Sequence, residues 1–431
     1  MTPTLRAAGA AALALGAIHC GLSEAAPEPA SVLATMEKVG GWQVDHPSHW
    51  PLDDWTQGAG DTGMSALAAL SGDPRFEQSL LQTGARLGWK PGPRPYHADD
   101  VVVGMAFEEM YFRRRDPALI APLRARFDWV LANPPQQTSL DFSPGYGKAT
   151  DLWSWCDSLF MAPPAWVRMG AATGNSRYTE YGVRNWWRTT NYLYDAKEHL
   201  FFRDSTYFQK REANGQKVFW SRGNGWVLAG LARMLEYLPA NHPDRARFEM
   251  LFRDMAARVL SCQQADGLWR ASLLDPGSYP MRETSGSGFF TFALAWGIND
   301  GLLPAETFSP AVFRGWSALA GCVGKDGRLG YVQPIGADPK SFPPDSTEPY
   351  GVGAFLLAGS EVYKMGVLAH AQPAAVSVTN PSDYARTDET VAVPAEGLDP
   401  SKTVVLDSSS SRVLDSQAWA DDGGRAQILF K

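Results

Sequence analysis

The sequence predicts an all-α protein, an (α/α)6 barrel of helical hairpins with a short β-rich C-terminal segment. Two observations predict it. Short polar punctuation recurs at Ser71-Gly-Asp-Pro74, Arg115-Asp-Pro117, Thr173-Gly-Asn175, Asn241-His-Pro243 and Leu303-Pro304. Each is followed by a run with Phe, Tyr or Leu at helical spacing, as in Phe76, Leu80 and Leu81 or Tyr178, Tyr181 and Val183. The intervals, on the order of 40 to 70 residues, each fit a helical hairpin with its loops. Alternating strand patterns, meanwhile, are scarce before the tail. About six hairpins fill residues 31–370; closed in a ring they make the barrel, and left open they make a solenoid.

At the N-terminus, Arg6 precedes an apolar run from Ala7 to Ile18, with small residues around Ser23-Glu-Ala25-Ala26. This reads as a signal peptide over residues 1–25, implying a secreted or periplasmic chain. Cys20 invites a lipoprotein reading, but His19 stands where a small residue is expected. No other apolar stretch is expected to span a membrane. The barrel domain then occupies residues 31–370. Within it, Leu228, Leu231, Leu235 and Leu238 line one face of a helix over 225–238 that Pro239 ends. Residues 371–431 read as a linker, Ala371-Gln-Pro-Ala-Ala375, followed by a partial β module or one that leans on the helices. Thr390-Val-Ala-Val393 and Thr403-Val-Val-Leu406 are its expected strands.

Of 431 residues, 45% are apolar and 20% charged, enough for a substantial core. The net charge of −7 shows no basic stripe, which argues against nucleic acid or an anionic membrane surface as partner. The 16 Trp and 14 Tyr favour a ligand with flat C–H faces, such as a sugar. Cys156, Cys262 and Cys322 remain after the leader; they are odd in number, far apart and without a CxxC. The seven His show no metal-ligand spacing, and neither a phosphate loop, a dinucleotide fingerprint nor a GxSxG elbow occurs. Neither metal nor cofactor is expected.

Three segments carry chemistry. In Trp153-Ser-Trp155-Cys-Asp157-Ser-Leu-Phe160-Met161, one carboxylate opens a helix inside aromatic company. Lost hydration raises such a pKa, which suits a general acid. An Asp at a helix start also serves as an N-cap, and the segment alone permits both readings. Tyr96-His97-Ala-Asp99-Asp100 begins a helix running through Met110, with Asp99 at the N-cap position. Together with Asp157 it offers a two-carboxylate arrangement. Trp220-Ser-Arg222-Gly-Asn224-Gly-Trp226 supplies stacking faces, a guanidinium fork and glycines that admit close approach of a ligand, or else a tight turn with buried indoles.

Taken in order, these segments, with Gln264-Ala-Asp-Gly-Leu-Trp269 and Glu283-Thr-Ser285-Gly-Ser287, resemble glycoside hydrolase family 105, the unsaturated rhamnogalacturonyl and glucuronyl hydrolases. The resemblance implies the (α/α)6 barrel with its site at the open mouth, and a substrate that is an oligosaccharide ending in a 4,5-unsaturated uronic acid. It implies hydration of the C4=C5 enol ether, with no cofactor. By this likeness Asp157 protonates C4 and Asp99 is the second carboxylate that helps keep Asp157 protonated, Asp100 being the alternative. Arg222 would meet the uronate or a hydroxyl, Trp220 and Trp226 would stack on sugar, and His97, Asn224, Trp155 and Met161 would line the pocket. Arg203-Asp204 and Trp269-Arg270 depart from the His-containing pattern of many relatives. An inverting glycosidase, a polysaccharide lyase and a non-catalytic sugar-binding protein are the competing functions.

Overall fold

The computed structural model describes residues 25–142 and 148–370, and tail segments 391–394, 403–407, 412–414, 416–420 and 426–430. The expected leader and the linker at 371–375 lie outside the described residues. Six helices form an outer layer: α1 (Pro29–Asp45), α3 (Pro74–Leu87), α5 (Ala121–Ala132), α8 (Ser176–Leu193), α10 (Arg245–Leu260) and α12 (Ala305–Ala320). Six alternate with them inside: α2 (Trp55–Leu70), α4 (Val103–Arg114), α7 (Pro163–Thr173), α9 (Ser221–Leu235), α11 (Thr284–Asn299) and α13 (Pro349–His370). A single turn, α6 (Ser158–Met161), leads into α7.

Burial patterns separate the two layers. Outer helices bury one stripe, such as Phe76, Leu80 and Gly84 in α3 or Leu123, Phe127 and Val130 in α5. Every residue of α9 is buried, and all of α11 except Ile298. The one-faced helix expected at 225–238 is therefore buried all round; it begins at Ser221 and its regular turns end at Leu235. Its leucine stripe is only the most apolar part of a helix enclosed by neighbours.

Each inner helix packs on the next, and α13 returns to pack on α2, so the ring is closed. The seam is close: a Cβ on Gly63 would lie 2.2 Å from the Gly353 carbonyl oxygen. Contrary to the sequence expectation, α13 is long and apolar enough to cross a membrane by length and composition. Its apolarity answers to burial inside the ring, where most of its residues are enclosed. Cys156, Cys262 and Cys322 are free and buried.

After α8 a small antiparallel pair, β1 (Tyr194–Asp195) and β2 (Leu200–Phe201), crosses toward the mouth. In the tail, β3 (Val391–Pro394), β7 (Ala426–Phe430) and β6 (Ser416–Ala420) form an antiparallel sheet in that order, and β4 (Val405–Asp407) pairs with β5 (Arg412–Leu414). Val404 packs against the barrel's hydrophobic core, and Val413 borders a small cleft with Trp296 and Glu361.

Candidate active site

The starts of the inner helices gather at one end of the ring. Asp99 lies in a 3-10 turn, Ala98–Asp100, just before α4, and Asp157 immediately precedes α6. Arg222 sits in the first turn of α9, 5.0 Å from the Tyr350 ring at the start of α13, which in turn stacks on Trp55 at the start of α2. Helix N-termini carry partial positive charge, so this mouth favours an anionic ligand.

Asp157 does not cap its helix: no backbone N–H of α6 donates to its side chain. In the turn before it, Trp153 stands at φ +58°. Such a conformation is uncommon for a bulky residue, and here Ser158 and Thr189 hydroxyls donate to the Trp153 carbonyl while the indole donates to Tyr96 O at 2.9 Å. Asp157 retains 13% of its side-chain exposure. Burial pushes its carboxyl up, while Arg203, the Cys156 thiol and Arg222 pull it partly back. Cys156 Sγ donates to Oδ2 at 3.3 Å, and Arg203 Nε stands 4.0 Å from the same oxygen.

Asp99 is likewise not an N-cap; its own N–H donates to His97 Nδ1 at 3.3 Å. Its side chain is 21% exposed. Burial, then the neighbouring charge of Asp157, pushes its carboxyl up to about 7. The like-charge coupling expected between the two carboxylates is thus present, but the group that it raises to neutrality in the free protein is Asp99. His97 is held neutral, its pKa lowered to about 4 by burial and by Arg94, and its ring lies 5.1 Å from that of Trp155. Asp157, Asp99 and His97 are therefore partly exposed at one opening, with the buried Trp155 behind His97.

The other residues expected there are engaged within the protein. Asp100 is buried, its oxygens taken by the Arg94 backbone N–H at 2.5 Å and the Arg94 guanidinium at 2.8 Å, so it clamps the loop before the mouth. Arg222 is buried and donates to the carbonyls of Gln333 and Pro334 at 2.6 and 2.9 Å, with its guanidinium over the Trp220 ring. Two of its nitrogens hold a loop, while its Nε–H makes no hydrogen bond among the described residues and its charge still acts on Asp157. Trp220 is buried and donates to Gln333 Oε1 at 2.9 Å. Trp226 packs against Phe289 and Phe160 in the core, and Met161 is buried beside them. The glycine at 223 admits Cys156 and the Trp220 ring instead of a ligand, since a Cβ there would sit 3.0 Å from each.

Asn224 acts at a distance. Its Oδ1 accepts from Phe201 N–H at 2.7 Å and its Nδ2 donates to Phe201 O at 3.1 Å, fixing β2. Two residues on, the Arg203 carbonyl accepts from Cys156 N–H at 2.8 Å, which sets Arg203 beside Asp157. Arg203 is the site residue the motifs underweighted, visible in sequence only as a departure from the family pattern. It is 13% exposed, donates to Asp204 at 2.6 Å and lies 4.9 Å over the Phe142 ring. Its Nε–H makes no hydrogen bond among the described residues. Among those residues no group of three His, Cys, Asp or Glu side chains could hold a metal.

Ring and site together define the class, a carbohydrate-active (α/α)6 barrel. The model of Glycosyl Hydrolase Family 88 matches residues 32–366, and the chain belongs to that family. It is 41% identical over 341 residues to an unsaturated 3S-rhamnoglycuronyl hydrolase of Formosa agariphila, covering 77% of this chain and 90% of that protein. A protein of the same name from Alteromonas sp. is 37% identical, with 72% and 77% covered. A solved structure named as a polysaccharide lyase overlays with a TM-score of 0.71 at 31% identity, covering 80% of this chain and 99% of that one.

Proposed function

We propose that this chain hydrolyses oligosaccharides ending in a 4,5-unsaturated uronic acid. One observation supports it most: Asp157 and Asp99, both of raised pKa, share a partly exposed opening at helix N-termini, with the Arg203 guanidinium 4.0 Å from Asp157. Asp157 donates a proton to C4, and electrons of the C4=C5 bond form the new C–H bond. Positive charge develops at C5, stabilised by the ring oxygen. Water adds at C5 and gives a proton back to the Asp157 carboxylate. The hemiketal opens and the remaining sugar departs as an alcohol.

Arg203 prepares the acid. When its guanidinium pairs with the uronate carboxylate, the cation that lowers Asp157 is neutralised, so the pKa of Asp157 rises as substrate binds. An enol ether is a weak base and needs such a donor. Asp99 orients the water, and His97 and Trp155 wall the ring. The likeness to two 3S-rhamnoglycuronyl hydrolases supports a sulfated rhamnose as the attached sugar. We also propose that residues 1–25 direct secretion; a mature chain beginning at Ala26 or Pro27 on N-terminal sequencing supports this, and an intact Met1 opposes it.

The test is to follow the ultraviolet absorbance of the unsaturated uronate in heavy water. Hydration abolishes the absorbance and leaves one deuteron at C4. A lyase, the reading favoured by the name of the overlaying structure, would instead create absorbance from an intact polysaccharide.

A further inference from the structure

A cavity of about 630 Å³ opens beside the loop that carries His97, bordered by Asp53, Lys90, Pro91, Pro93, Arg126 and Trp129. Trp129, on α5, is 46% exposed, an unusual position for the largest apolar side chain. Its ring lies 5.8 Å from that of Tyr96, whose hydroxyl donates to Asn133 O at 2.6 Å. Arg126 stands three positions before it on the same helix face. That guanidinium donates to Gly92 O at 2.9 Å and has no ion-pair partner among the described residues. Lys90 is exposed and likewise lacks one there. Two cations thus face a single acid, Asp53, in a chain of net charge −7.

A flat indole flanked by two unneutralised cations suits a sugar chain bearing sulfate or carboxylate groups. The ring takes a C–H face, and the cations take the anions. The groove is also near the mouth. Pro93 and His97 are four residues apart, so their Cα atoms are separated by at most ~14 Å. The same loop is pinned on the mouth side by Trp153 Nε1 donating to Tyr96 O and by the Arg94–Asp100 clamp. We propose that this groove is a distal subsite. It binds the reducing-side units of a longer sulfated or carboxylated oligosaccharide whose unsaturated end lies against Asp157, and it rests on the uronyl hydrolase reading.

The test compares kcat/KM on a lyase-generated disaccharide and hexasaccharide of one sulfated rhamnose–glucuronate repeat. In the wild type the hexasaccharide is the better substrate. Trp129→Ala and Lys90→Glu each lower the hexasaccharide-to-disaccharide ratio tenfold or more. An unchanged ratio overturns the subsite, as does an equal loss on both sugars, which would mark Trp129 as a support for the Tyr96–His97 loop. If the wild type leaves both double bonds intact, the hydrolase reading fails instead. Titration calorimetry with the saturated hexasaccharide then decides the groove: binding weakened by Lys90→Glu supports it, and equal binding overturns it.

Discussion

The two ends of the inner ring handle buried charge in opposite ways. Toward the C-terminal ends of α4, α7 and α9, Arg168 is sealed between Glu109 and Glu236, the latter at 2.5 Å, with Tyr237 4.3 Å beneath it. Arg233 adds a second contact to Glu109 at 3.3 Å. Burial pushes Glu109 up, yet Arg168 and Arg233 outweigh it and hold the carboxyl below its ordinary value. At the N-terminal end, Asp99 and Asp157 are both raised, and Arg203 is shared with Asp204. The carboxylates at the two ends are similarly exposed, Glu109 at 24% and Asp99 at 21%. One end pairs its carboxylates with two arginines, while the other leaves two carboxylates beside one that Asp204 already holds. Glu108 sharpens the contrast. It is more deeply buried than Asp157, its oxygens have no hydrogen-bond partner, and burial raises it far above the ordinary value, but it has no opening. A perturbed carboxyl is useful only where a substrate can reach it.

The comparison breaks most visibly at Asp157. Asp157→Asn should retain the fold and lower kcat by roughly 10²–10⁴, the contribution of a general acid; near-full turnover in the absorbance assay would remove Asp157 from the chemistry. In the wild type, kcat/KM should fall as pH rises through about 7, where the coupled pair of the free protein loses its last proton. At the other end, Arg168→Met removes one of two cations from Glu109 and the Arg168 contact from the partly exposed Glu236, and should cost about 1.5–3 kcal/mol. Denaturant melts would register this loss, while the folded fraction keeps its pH profile; a shifted profile would mean the two ends are coupled.

Smaller effects test the balance at the mouth. Arg203→Met should raise KM by roughly tenfold or more through the lost ion-paired hydrogen bond. Because Arg203 lowers Asp157 in the free protein, the alkaline limb of kcat/KM should also move to higher pH; an unmoved limb would show that Arg203 only binds. Asp61, on α2, is a subtler probe, raised to about 7 by burial alone. Its folded pKa exceeds the unfolded one, so its stabilising contribution is complete below about pH 4 and is lost as pH rises through about 7. Asp61→Asn should therefore be more stable than wild type at pH 8 by at least about 1.4 kcal/mol, one pKa unit, with the gain vanishing near pH 4. Equal melting temperatures at pH 8 would refute it.

The barrel was legible because hairpin punctuation and helical spacing are local signals, and the outer helices carry them plainly. Inner helices such as α9 gave a one-faced pattern, since a helix buried all round has no polar side to define its register. Motif residues with a distinctive environment, Asp157, Asp99, His97 and Trp155, do meet at the mouth. Arg222, Trp220 and Asn224 sit in an equally conspicuous motif, but most of their polar atoms are held by loop and strand residues far away in sequence. Such partners, at Gln333 or Phe201, are set by ring closure and cannot be read from neighbours along the chain. Arg203 was obscured for the same reason: only β2, anchored by Asn224, brings it to Asp157.

The seam between α2 and α13 has a consequence for how the protein is made. The mouth exists only once Gly63 and Gly353 meet, and those residues lie nearly at opposite ends of the barrel sequence. A ribosome releasing the chain N-terminus first would extrude five inner helices with their apolar flanks unclosed before the sixth arrived. Ring completion is therefore a late, long-range step with a large loop-closure cost. A chain ending before α13 would lose far more than one helix, because α11 and α2 would each be left with a bare apolar side.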